Sequence, residues 1–267
     1  MHALEFGPRD RAIDIVFLHA TGFNALTYRS LLEPLSASLR IVAIDQRGHG
    51  ATTLATTPDG RRDWSVFTDD LLAALDALDS EATVLAGHSM GASVALFAAA
   101  KAPDRVRNLV LFDPVGVPPS MRSHGGDSPI ARGAARRRAV FASRAAAFAS
   151  YRGRGAFQTW PDAILSDYVA AGFRDLPGGE VTLACAPAWE ASIFSAQDND
   201  TTTAFAASLC GIDILQAERD STFRRDEASQ IVTGAPRIRI AVIPGSSHFL
   251  PMERPDLVQA ALRAATS

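Results

Sequence analysis

Only two cysteines, Cys185 and Cys210, occur in 267 residues, and their spacing is not that of a metal site. Two free thiols are expected rather than a disulfide. The opening residues, MHALEFGPRDRAIDIVFLHA, lack a basic stretch followed by a long apolar one. No secretory leader is therefore expected, and the cytoplasm is the expected location. No apolar run approaches the roughly 18 residues that a membrane span needs. An excess of one charge is missing too: 26 Lys+Arg against 29 Asp+Glu leave a net charge of −3. That balance argues against a nucleic-acid partner, which selects for a strongly basic face. Neither G-x-G-x-x-G nor G-x-x-x-x-G-K-[ST] is present, so a nucleotide-cradling loop is not expected. With no ligand cluster for a metal either, no cofactor is expected.

What remains is an alternation of short apolar runs with amphipathic stretches, over a length that suits one large domain or a core with an insertion. Strands are predicted at 13–18, 39–44, 83–86, 108–112, 212–216 and 238–243, with an edge strand at 3–6. Their continuous Val/Ile/Leu content fits strands buried on both faces. Between them, 63–78 sets Phe67, Leu71, Leu75 and Leu78 on one helical face, and 256–265 follows Pro255, which suits a first helical turn. The expected class is α/β, a mostly parallel sheet covered by helices. From 117 to 207 no buried strand is legible and the text is rich in Ala, Arg and aromatics. A helical insertion over 117–207 is expected, within a core of 1–116 and 208–267. Its arginines, Arg132, Arg136, Arg137, Arg138 and Arg144, read as a solvated helix face.

One stretch departs from this pattern. The strand at 83–86 runs into Gly87-His88-Ser89-Met90-Gly91, and small apolar residues follow at helical spacing. A serine between two glycines at a sharp strand-to-helix turn fits G-x-S-x-G, where the glycines give room and the hydroxyl is raised above the sheet. Such a serine needs a base, and the base needs an orienting acid. In this arrangement the chain order is Ser, acid, His. His2, His19, His49 and His88 precede Ser89, and His124 lies in the insertion. The remaining one, His248 in PGSSHFLPMERPD, is the expected base. Asp220 in ILQAERDST is the expected acid, with Asp113 after strand 108–112 and Glu218 as rivals. An oxyanion would rest on the backbone N–H groups of Met90 and of Thr21 in LHATGFN.

These residues resemble the α/β-hydrolase superfamily, and in particular its lidded esterase-like members, over nearly the whole chain. GHSMGA resembles the nucleophile elbow, DQRGHG the Asp-x-Arg-Gly-x-Gly turn, QAERDST the acid loop and PGSSHFLPMERPD the histidine loop. Where many relatives read His-Gly after the first long strand, this chain reads His19-Ala20. The resemblance implies Ser89 as nucleophile, His248 as base, Asp220 as acid, Thr21 and Met90 as oxyanion donors, and the helical insertion 117–207 as a cap, or lid, over the site. His19, Arg47 and His49 are expected to brace loops.

The expected substrate is a small-molecule ester of a small or medium acyl group, or a related carbonyl compound. Phe23, Trp160, Trp189 and Phe249 are the candidate pocket residues, with Tyr168, Phe173 and Phe194 as further aromatics of that region. A lactone, an amide or a C–C bond beside a ketone would suit the same triad. A ligand receptor with negligible turnover is the reading from a different class.

Overall fold

The computed structural model describes residues 1–80, 83–116, 128–223 and 237–267. The first half of the chain gives strands β1 (His2–Phe6), β2 (Ile15–Leu18), β3 (Ile41–Asp45), β4 (Thr83–His88) and β5 (Val106–Phe112). Helices α1 (Arg29–Leu32), α2 (Ser65–Ala77) and α3 (Met90–Lys101) lie between them. After β5 come α4 (Pro129–Ala135), β6 (Val140–Phe141), α5 (Arg144–Tyr151), α6 (Asp162–Ala171), β7 (Phe173–Asp175), β8 (Val181–Leu183), α7 (Pro187–Ser195) and α8 (Thr201–Ala207). The chain closes with β9 (Gly211–Ala217), β10 (Ile238–Ile243), α9 (Leu250–Glu253) and α10 (Pro255–Thr266).

The main sheet has the order β1-β3-β2-β4-β5-β9-β10. Only its edge strand β1 runs antiparallel; the other pairings are parallel. Every residue of β2, β3 and β4 is buried, as continuous apolar runs require when helices cover both faces. Because side chains alternate along a strand, each strand feeds two cores. Ile15, Phe17, Ala43, Val84 and Phe112 point to the face closed by α1 and α10. Val16, Leu18, Ile44, Leu85 and Leu111 point to the face closed by α2, α3 and α8. Helix α2 buries Phe67, Leu71 and Leu75 there, the stripe that its spacing predicts.

Two features of the inserted stretch were not legible in its text. A small antiparallel sheet, β6-β8-β7, forms between its helices from strands of only two or three residues, too short to show a period of two. Its last helix, α8, packs against α3 on the main body. Residues 117–127 of the expected cap, His124 among them, lie outside the described residues. Among the described residues no helix is long and apolar enough to cross a membrane. Cys185 and Cys210 are both free.

Candidate active site

Strand β4 ends in a bend that only its neighbours' small size permits. Ser89 has φ 55° and ψ −121°, a left-handed conformation that costs a non-glycine residue of order 1–3 kcal/mol. A Cβ on Gly87 would stand 2.6 Å from the backbone of Gly91, and one on Gly91 would stand 2.5 Å from the carbonyl oxygens of Leu18 and His19. The glycines therefore let α3 press against β2 and the turn. Since backbone cannot yield as a flexible side chain can, Gly91→Ala is expected to destabilise the fold by roughly 3 kcal/mol. An unchanged urea midpoint would show that the bend has slack.

The Ser89 hydroxyl lies 3.0 Å from Nε2 of His248, on the loop between β10 and α9. The other ring nitrogen, Nδ1, lies 2.6 Å from Oδ2 of Asp113, just beyond β5. Asp113 is completely buried. Its Oδ1 accepts from the Ala217 N–H at 2.9 Å and the Ser221 hydroxyl at 2.6 Å, and its Oδ2 accepts from the Thr222 N–H at 2.9 Å. Burial pushes its pKa up, but the hydrogen bond and charge of His248, together with the Ser221 and Ala217 bonds, outweigh it and hold the carboxyl below its usual range. An acceptor-only carboxylate so loaded has Nδ1 carry the ring proton, leaving Nε2 to receive one from Ser89.

The carboxylate that meets His248 is thus Asp113, a correction to the expected Asp220. That residue is exposed, in a bend with φ 54°, and among the described residues no hydrogen bond joins it to His248. The loop after β9 instead delivers Ser221 and Thr222 to Asp113, and Glu218 accepts from the Gly245 N–H at 2.9 Å. The structure brings Ser89, His248 and Asp113 together and leaves Asp220 outside.

The loop after β2 is held by three buried histidines. His49 Nε2 accepts from the Gly22 N–H at 3.0 Å, and its Nδ1 donates to the Arg47 carbonyl at 3.0 Å. His19 Nε2 accepts from the Gln46 N–H at 2.9 Å and its Nδ1 donates to the Ala20 carbonyl at 2.8 Å. His88 Nε2 donates to the His248 carbonyl at 2.8 Å, while its Nδ1 accepts from the Tyr28 hydroxyl at 2.8 Å, whose oxygen accepts from the Ala20 N–H. Burial drives all three rings below their ordinary value, His19 to about 4 and His49 and His88 to about 3. Arg47 pairs bidentately with Asp70 at 2.7 Å. In this loop the N–H groups of Ala20, Gly22 and Phe23 are all taken up internally. Among the described residues, those of Thr21 and of Met90, the first residue of α3, have no such partner, so they can receive an oxyanion beside Ser89.

Above Ser89 lies a cavity of about 530 Å³, a size suited to a small organic molecule. Phe23 and Phe249 line it, as expected, and so do Tyr168 and Phe194. Trp160 stands behind them, edge-on to Phe23 with ring centroids 5.0 Å apart. Trp189 is a correction. It faces the opposite core, with its indole N–H on the Arg47 carbonyl at 3.0 Å, its ring 5.8 Å from that of Phe67 and the Arg61 guanidinium stacked over it. The next residue along α7, Glu190, is the one in the cavity.

Arg137 is the residue that sequence reasoning missed. It is not on a solvated helix face: it follows α4, lines the cavity, and sets Nη1 at 2.7 Å from both carboxylate oxygens of Glu190. The helix stops at Ala135, so Arg137 lies beyond its end rather than on its face.

The sequence profile described as "Alpha/beta hydrolase family" matches residues 15–261. A 2-(acetamidomethylene)succinate hydrolase of Mesorhizobium japonicum is 27% identical over 263 residues, 93% of this chain and 86% of that protein. A 2-hydroxymuconate semialdehyde hydrolase of a Pseudomonas species is 33% identical over 106 residues, 39% of this chain and 37% of that one. Among solved structures, that of an E-2-(acetamidomethylene)succinate hydrolase superposes with a TM-score of 0.82 at 23% identity, covering 98% of this chain and 93% of that one.

Proposed function

Since this chain belongs to the alpha/beta hydrolase family, we propose that it is a serine hydrolase that cleaves a bond at the carbonyl carbon of a small organic substrate through an acyl-enzyme intermediate. The observation that carries this reading is the continuous hydrogen-bonded line from Ser89 through His248 to Asp113. Ser89 Oγ attacks the carbonyl carbon while His248 Nε2 takes the hydroxyl proton, and Asp113 stabilises the imidazolium without itself being protonated. The carbonyl oxygen gains the negative charge and rests on the Thr21 and Met90 N–H groups. When the intermediate collapses, the leaving group departs with the proton from Nε2. Water, deprotonated by the same nitrogen, then attacks the acyl carbon, and Ser89 is regenerated as the carboxylic acid leaves. Side chains, backbone and water supply every step. The segment that includes α4 to α7 serves as the cap that encloses the cavity.

A simple carboxylic ester is one substrate class this machinery suits. A second reading, an amide-type or C–C bond beside a carbonyl, has specific support: the relative aligned over most of this chain is named for an acetamidomethylene compound and the shorter match for a semialdehyde. Either bond uses the same nucleophile.

The test is labelling by a fluorophosphonate probe, together with product formation from p-nitrophenyl esters, enamides and vinylogous diketones. Stoichiometric labelling is expected in the wild type and none in Ser89→Ala, with product from at least one of the three classes. A wild type that takes no label and turns over nothing would mean that the fold serves as a receptor.

A further inference from the structure

The cavity has one polar end, and it is built rather than incidental. Arg137 and Glu190 form a buried ion pair, with only 24% and 6% of their side-chain surfaces exposed. The other guanidinium nitrogen, Nη2, donates to the Tyr168 hydroxyl at 2.9 Å and reaches the Tyr151 hydroxyl at 3.5 Å. All four residues line the same cavity as Ser89 and His248. The remainder of its wall is largely aromatic and aliphatic.

Glu190 also abuts the oxyanion loop. A Cβ on Gly22 would lie 2.4 Å from Glu190 Oε1 and 3.4 Å from Arg137 Nη1, so glycine at that position makes room for the pair. Gly22 is the residue after Thr21, whose N–H is the proposed oxyanion donor. A bare carboxylate there would oppose an oxyanion; Arg137 cancels it. Drawing Arg137 away to a second anion would undo that cancellation and leave an unpaired buried charge, the costly arrangement.

Arg137 is therefore a committed cation with no net charge to offer. The tyrosine hydroxyls differ. Each oxygen faces a guanidinium N–H, so each keeps its own proton to donate to an acceptor in the cavity. We propose that Arg137, Glu190, Tyr151 and Tyr168 form a specificity pole that binds an uncharged oxygen acceptor of the substrate, such as a ketone, ester or amide carbonyl, and rejects a carboxylate at that position. The proposal rests on the reading of Ser89 as nucleophile and narrows its substrate class. It also separates this chain from the relative whose named substrate is a succinate, because the pole leaves no unpaired cation for a carboxylate.

The experiment compares matched p-nitrophenyl esters of succinic, glutaric and adipic acids, each with its far end either free as a carboxylate or capped as a methyl ester. Wild-type kcat/KM is expected to favour the capped member by at least about 30-fold at the best chain length, the scale of burying a carboxylate with no free counter-charge. Glu190→Gln frees the guanidinium and should reverse the preference, by raising kcat/KM for the carboxylate rather than by lowering both. Tyr168→Phe should lower kcat/KM for the capped ester about tenfold more than for a p-nitrophenyl alkanoate of equal length. Calorimetric binding of the same pairs to Ser89→Ala reads the pole without turnover. A binding or kinetic preference for the carboxylate, or a ratio within about threefold, overturns the proposal. A wild type that binds the capped member selectively but neither hydrolyses it nor takes the fluorophosphonate label would support the pole while removing the hydrolase reading.

Discussion

Asp113→Asn is expected to lower kcat/KM about 10⁴-fold, while Asp220→Asn leaves it unchanged. The contrast follows from what each carboxylate touches. Asp113 holds Nδ1 of His248 at 2.6 Å and is itself held by the Ala217 and Thr222 N–H groups and by Ser221. An amide in its place keeps the shape, but its NH₂ group can face Nδ1 and shift the ring proton to Nε2. His248 would then present a donor to the Ser89 hydroxyl and could not take its proton. The unfolding midpoint should fall far less than activity does, because the loop bonds have an isosteric partner. Asp220 is exposed and has no hydrogen bond to the ring among the described residues, so its substitution is a surface change. Kinetics on the two purified variants, with a denaturation curve for each, decide the matter. Equal losses in both, or loss only in Asp220→Asn, would refute the assignment of Asp113.

The second large effect is on stability in acid. His19, His49 and His88 are fully buried, and each ring accepts a hydrogen bond on one nitrogen while donating on the other. A proton added to the accepting nitrogen would point N–H at N–H, or at the tyrosine hydroxyl proton, in a dry site. Their folded-state values near 3 to 4 lie below the ordinary 6.5 of the unfolded chain. As pH falls below about 6.5 the unfolded chain therefore takes up protons that the folded one refuses, and stability drops until the folded rings titrate. By pH 5 each ring removes about 2 kcal/mol, together about 6 kcal/mol, against a typical total of roughly 5–15 kcal/mol. Urea midpoints are expected to be level above pH 7 and to fall steeply between pH 6.5 and 5. That range lies well above the 3.8 at which an ordinary aspartate titrates. A midpoint unchanged at pH 5 would mean that the rings protonate freely in the fold.

The elbow was readable because strand, bend and helix leave a continuous local signature, and the glycine positions follow from the steric room such a bend needs. The contact of His248 with Ser89 was readable by elimination along the chain order. The carboxylate that meets the ring was not, since loops after two different strands each carry an aspartate, and which one reaches His248 depends on how β5 and β9 pair and turn. The structure settles the contact through that pairing: the Asp113 N–H bonds to the Leu215 carbonyl at 2.8 Å, and φ of 43° at Asp113 aims its carboxylate inward. Trp189 misled because α7 buries two adjacent stripes. Trp189 and Ile193 face the core that includes Phe67, whereas Glu190 and Phe194 face the cavity. Residues one apart on a helix point about 100° apart, so an aromatic in the right segment can still belong to the wrong face. Arg137 was lost in a run of arginines whose average property is solvation.

Helix α7 has a mechanical consequence. Its Trp189 is rooted in the main body, the Ile193 carbonyl accepts from the Trp64 indole at 3.1 Å, and α6 is tied across to α1 by the Arg29–Asp167 pair. Swinging these two helices outward as one shutter would break all three ties together. Ile130 of α4, 56% exposed and on the cavity lining, touches none of those ties, so a bulkier side chain there would narrow the chamber's solvent side without loosening them.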